Sequence, residues 1–344
     1  MSVSFFEVTQ KIVVAFLLVC LSSSCSKEEK EEKNEIILYD LPEETFSEYM
    51  AVFGDIQYYT MNASNVKYYK YSLDWLQAKF ERGLKLNCIL HTGDITQSNS
   101  VSEWFFFYQA TSGIAGRIPY FSMIGNHDYR WRGDKNQITN RNDTYFNDYV
   151  HFPLSTGKIV AWFEQDRMEN IIVENTIQGR PLYLLILEFG PREEVVAWAT
   201  AYIKSHPEIN FILMTHEYLE AGGGRRHSRT TAEKQFVNTS VVTPDQLWTQ
   251  LIKCNDNIRV VLCGHVGGMY ALTVEKNDFG REIYQIQHNI QNVSYRYDNW
   301  LMMWEFPKDS DDVNVFIFNT KTGQFFENKE VLFTFRYKDP VVSE

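Results

Sequence analysis

The chain has 344 residues, with 44 acidic against 33 basic side chains and a formal net charge of −11. That balance argues against broad nucleic-acid binding, which needs a basic surface to displace counterions. Aromatic residues at 15% argue against disorder, and the cysteines outside the N-terminal segment, Cys88, Cys254 and Cys263, are too few for a disulfide framework and lack zinc-ligand spacing.

Lys11 precedes the apolar run 12–21, then Ser22-Ser23-Ser24-Cys25. The run is too short to span a bilayer and fits the apolar region of a secretory signal. Small residues before a cysteine resemble a bacterial lipoprotein signal, which predicts a signal over 1–24 and lipid on Cys25. Cys20 is the alternative acceptor but follows the bulkier Leu18-Val19. Residues 25–40, rich in Lys and Glu, read as a solvated tether. The expectation is an exported protein, lipid-anchored to a bacterial envelope membrane and facing the periplasm or cell surface. A plain secretory signal or a buried helix is the competing reading.

Residues 41–340 read as one domain of alternating strands and helices. An apolar run ends in Gly54-Asp55-Ile56-Gln57, and a helix is predicted over 63–82. The next run ends in His91-Thr92-Gly93-Asp94, followed by a helix over 100–112. The run 119–124 leads into Gly125-Asn126-His127-Asp128. Residues 126–181 are long for one connection and carry Tyr129, Trp131, Tyr145, Tyr149 and Trp162, so they form a lid, a small subdomain or an extra hairpin. A helix over 192–205 precedes the run 210–214, which ends in Thr215-His216. In the loop 221–229, Arg225, Arg226 and Arg229 either clamp phosphate oxygens or stay in solvent. A helix over 244–253 precedes the run ending in Gly264-His265-Val266-Gly267. Beyond it, 269–274, 282–287, 300–306, 313–318 and 331–337 read as consecutive antiparallel strands of a β-rich C-terminal part.

In an open α/β sheet, ligands bind beyond the carboxyl ends of the strands. The strand ends above bring two acids, an Asn and three His to one rim, and oxygen with imidazole ligands suits a pair of divalent metals. Asn126 offers a neutral oxygen, His127 a proton for a leaving group, and Asp128 an orienting carboxylate for that imidazole. His91 and His288 read as structural residues, each also able to serve as a metal ligand.

These motifs, in this order, resemble the calcineurin-like metallophosphoesterases over residues 48–290. The segment 187–198 is similar to one bacterial branch of that family. The resemblance implies a four-layer α/β/β/α sandwich with a β-rich C-terminal part. It implies that Asp94 bridges two divalent metal ions. Asn126, His216 and His265 complete one position, which suits Mn2+, Fe or Zn, and Asp55 belongs to the other. His127 would protonate the leaving oxygen or steady the phosphoryl group. The chain departs from the pattern at Gln57 and Gly267, each standing where the family has a His. The second position would then keep Asp55, Asp94 and the Gln57 carbonyl oxygen, an all-oxygen set for a harder, weaker-bound ion such as Mn2+ or Mg2+. The function implied is hydrolysis of a small phosphorylated substrate, a monoester or diester, by metal-activated water. A catalytically weakened lipoprotein that binds phosphorylated ligands is the main alternative. A surface component that handles glycan or lipid and uses the metals structurally is the other.

Overall fold

The motif-bearing runs form strands buried on both faces, as apolar strands inside a layered sheet must be. A computed structural model describes residues 36–41, 46–150, 158–227, 230–237, 239–292 and 294–337. The expected signal, Cys20, Cys25, most of the tether and Arg229 lie outside the described residues. The architecture below is that of the unit Ile36–Glu344.

One sheet has six strands, in the order β14 (Phe333–Arg336), β13 (Asp312–Asn319), β12 (Trp300–Phe306), β1 (Glu48–Phe53), β2 (Leu86–His91) and β3 (Tyr120–Ser122). The other runs β10 (Tyr270–Lys276), β11 (Glu282–His288), β9 (Ile258–Cys263), β8 (Asn210–Met214), β7 (Arg180–Ile186), β5 (Ile171–Glu174) and β4 (Lys158–Trp162), with β6 (Thr176–Ile177) paired to β7.

Alternation along the strands explains the layers. Leu182, Leu184 and Ile186 of β7, with Ile212, Met214, Val260 and Leu262, join the core that the first sheet lines. Their neighbours Leu185, Phe211, Leu213, Val261 and Cys263 form a separate core with Val195, Ala199 and Ile203 of the helix Glu193–Ser205. The helices Ala63–Glu81 and Val101–Thr111 pack Leu73, Trp75, Leu76, Trp104 and Phe107 into the first core. The order is helix, sheet, sheet, helix, the expected four-layer sandwich.

Several local expectations change. Tyr270–Lys276 and Glu282–His288 form a hairpin on the second sheet, where β11 runs parallel to β9. Trp300–Phe306 crosses to the first sheet and pairs antiparallel with β1. The C-terminal strands are therefore no single antiparallel run, because alternation records which face is buried and not which strand lies alongside. Residues 158–174 supply an edge hairpin, β4 and β5. The helix expected over 244–253 is present, α-helical at Pro244–Leu247 and π-helical over Trp248–Ile252.

Parallel registers hold the motif ends level. Phe53 lies opposite His91, and His91 opposite Ser122. In the second sheet Ile186 lies opposite Met214, and Met214 opposite Leu262.

Candidate metal centre

Asp94 leaves β2 with φ of 51° and His265 leaves β9 with φ of 70°, so both non-glycine residues sit in the left-handed region. Such strain persists where the surroundings over-determine it. Two glycines allow the close packing. A Cβ on Gly125 would collide with the Asp94 backbone nitrogen, and one on Gly264 with Asp55 Oδ1.

Asp94, His216 and His265 present ligand atoms within 4.8 Å of one another, and Asn126 joins them. His216 Nε2 lies 3.2 Å from Asp94 Oδ1, 3.3 Å from Asn126 Oδ1 and 3.3 Å from His265 Nδ1. His265 Nδ1 is 3.0 Å from Asn126 Oδ1. Ligand atoms at about 2.1 Å from a common ion would be spaced by about 3.0–3.4 Å. The far nitrogens have partners compatible with ligating tautomers. His216 Nδ1 donates to the Thr92 carbonyl at 2.7 Å, leaving Nε2 free to ligate. His265 Nε2 faces the Thr231 hydroxyl at 2.8 Å, which is able to accept its proton and so leave Nδ1 to ligate. Lone pairs of two imidazoles, an amide oxygen and a carboxylate then converge, and a cation is what satisfies them.

The electrostatics describe a cluster that draws positive charge, and a metal ion ligated by His216 would displace the proton held there. Burial alone would raise the Asp94 carboxyl, but His216 and then His127 hold it well below the usual range. Burial opposes charge on His216, yet Asp94, and beyond it Asp55, lift its imidazole to about 10. Burial, with the His216 charge adding to it, keeps His265 well below the ordinary histidine value.

His127 is half-buried, as His265 is. Its backbone N–H donates to Asp94 Oδ1 at 3.0 Å, and its Nδ1 faces the Gln97 carbonyl at 2.9 Å. The Trp131 ring lies 4.4 Å from the imidazole and donates its indole N–H to the Asn126 carbonyl. Asp128 does not orient this ring. Its carboxylate accepts the N–H groups of Ile95 (3.2 Å), Thr96 (2.8 Å) and Gly125 (3.0 Å) and the Thr96 hydroxyl (3.0 Å). It braces the β2 loop against the β3 loop, and the Gln97 carbonyl takes the place expected for it.

Asp55 accepts the Thr92 hydroxyl at 2.9 Å on one oxygen, and the His265 N–H (3.0 Å) and Asn289 amide (2.7 Å) on the other. Burial, partly offset by His216, raises its carboxyl well above the ordinary value. Gln57 turns its amide nitrogen, and not the expected carbonyl oxygen, towards Asp94 Oδ2 at 3.4 Å. His91 and His288 face inward to Ser122 Oγ (3.1 Å) and the Met269 carbonyl (2.8 Å), outside the cluster. Arg225 is held by Glu275, Asp245 and the Trp248 ring, and Arg226 by Glu217 and Glu220, so neither is the solvated or phosphate-facing side chain expected.

Sequence reasoning missed Glu217, Thr231, Asn289 and Gln291. Glu217 follows His216 and accepts the Thr231 and Ala232 N–H groups at 2.6 and 2.9 Å, fixing the loop behind His265. Asn289 and Gln291 follow β11, whose apolar run also ends in polar residues, the signal that was available.

The chain matches the calcineurin-like phosphoesterase family over residues 50–269 and belongs to it. It is 24% identical over 270 residues to the uncharacterized protein YvnB of Bacillus subtilis (strain 168), covering 76% of this chain and 19% of that protein. It therefore spans about a fifth of that relative's length. Among solved structures, the sulfate thiohydrolase SoxB of Thermus thermophilus, in complex with glycerol, is 10% identical, with a TM-score of 0.45. That match covers 84% of this chain and 59% of the other. Members of the family typically depend on a metal pair, and this chain carries the buried cluster of Asp94, His216 and His265.

Proposed function

We propose that the chain is a metal-dependent phosphoester hydrolase acting on a small phosphorylated substrate. The convergence of Asp94 Oδ1, Asn126 Oδ1, His216 Nε2 and His265 Nδ1 carries this reading. A divalent ion held there supplies Lewis-acid charge to the phosphoryl oxygens and acidifies a water. Thr92 and Thr231 keep the two imidazoles in ligating tautomers. His127 stands beside the cluster with Nδ1 donating to the Gln97 carbonyl, so Nε2 is the nitrogen left free to exchange a proton with the leaving oxygen. Trp131 packs against the ring and restricts its orientation. The reading includes export and a lipid on Cys25, supported by the sequence of the N-terminal segment.

The test uses aryl phosphate mono- and diesters with Mn2+ and Zn2+ supplied separately. His127→Ala should lose about 10²–10⁴ in kcat with metal binding intact. Turnover that survives removes His127 from the chemistry. A second reading, a binder of phosphorylated ligands without turnover, is favoured by the residues at 57 and 267, and phosphate binding without hydrolysis of either ester would establish it.

A further inference from the structure

The position beside Asp55 remains to be explained, and its residues do not fit a second ion. The orientation of two amides decides this, starting from an atom that cannot be reversed. The His265 carbonyl oxygen only accepts hydrogen bonds, and the side-chain nitrogen of Gln291 lies 2.7 Å from it. The Gln291 amide is therefore fixed, with Oε1 turned to Gln57. The Gln57 atom 2.6 Å from that oxygen must then be the donor, Nε2. The same nitrogen lies 3.4 Å from Asp94 Oδ2. Asp94 gives its other oxygen to the cluster with His216. So the carboxylate oxygen facing away from the first ligand set meets an N–H group, where a bridged ion would have to sit.

Two further observations point the same way. Asp55 is buried, and both its oxygens are engaged by Thr92, Asn289 and the His265 backbone. At Gly267 a Cβ would meet none of the described residues within 4 Å, so their packing does not forbid the missing side chain. The ligand is absent from a place with room for it. One atom is discordant, since Gln57 Oε1 is buried without a hydrogen-bond partner among the described residues. Turning that amide over would set its oxygen against those of Asp94 and Gln291, an arrangement that only a cation would hold.

We infer that this chain binds a single ion, at Asp94, Asn126, His216 and His265, and that the Gln57–Gln291 amide pair occupies the place of the second. The inference rests on the metal-dependent reading of the centre but not on its substrate. A phosphoryl group entering there meets amide hydrogens where a metal pair would present a second positive charge.

The experiment counts metal in the full chain, stripped with a chelator, titrated with Mn2+ and with Zn2+ and separated from free ion. The wild-type protein should retain one equivalent. Gln57→Glu places an anionic oxygen against Asp94 and should recruit a second equivalent, bound at least about tenfold more tightly than any further ion in the wild type. The pair Gln57→His with Gly267→His should do the same if Gln57→Glu does not fold. Two wild-type equivalents of similar affinity, or none, would overturn the inference, as would folded variants that still hold one. One equivalent without turnover on either ester removes the phosphoesterase reading and leaves the metal count standing.

Discussion

Asp128→Ala separates two roles for a buried carboxylate. If Asp128 oriented His127, its loss would slow turnover and leave stability nearly unchanged. The structure gives it another task, because the N–H groups of Ile95, Thr96 and Gly125 all donate to it. Truncation leaves those donors unpaired inside the protein. Each buried unsatisfied group costs about 1–3 kcal/mol, so the sum is about 3–9 kcal/mol. Water entering the vacated space keeps the value near about 3–5 kcal/mol, a large part of a native stability of about 5–15 kcal/mol. The Thr96 hydroxyl adds little, since it also reaches the His127 carbonyl at 3.3 Å. Urea unfolding of the metal-free protein, monitored by tryptophan fluorescence, measures the loss directly. The loosened Gly125–Asn126 turn should also weaken metal binding. A loss below about 1 kcal/mol together with a drop in kcat of about 10² or more would refute the bracing role and restore the orienting one.

Thr231→Val removes the hydroxyl that faces His265 Nε2 while keeping the side chain's shape. It should weaken metal binding by about 10–100-fold, read by competition with a chelating dye; affinity within about twofold of wild type would show that the hydroxyl does not set the tautomer. His288 is buried and neutral, its imidazole lowered to about 4 by burial and only partly supported by the Met269 carbonyl. Because the unfolded chain titrates near about 6.5, this residue's contribution is complete above that pH and is lost as pH falls towards about 4, by up to about 3 kcal/mol. His288→Gln should flatten that fall, and equal slopes in urea unfolding from neutral pH downwards would count against it. Cys25→Ala should release the protein from the membrane fraction of an expressing bacterium; continued partition there would end the lipid-anchor proposal.

The motif-bearing strands were legible because burial is local: Ile89, Leu90, Val260 and Leu262 declare it in their own composition. Where a buried strand stops, a polar residue must emerge, so Asp94, Asn126, His216 and His265 could be placed at strand ends before any fold was known, but two sheets supply those ends and not the single sheet rim expected. Their ligating nitrogens could not, since these depend on Thr92 and on Thr231, which belong to other segments. The bracing role of Asp128 was hidden for the same reason, as its partners Ile95 and Thr96 lie more than thirty positions away. Asn289 reaches Asp55 across 234 positions, and Gln291 reaches Gln57 across the same distance. Only the pairing of β11 with β9 brings them there. Sequence alone determined which atoms have the chemistry to hold a metal. The tertiary structure decided which way each of them faces, because direction is fixed by hydrogen bonds between segments far apart along the chain.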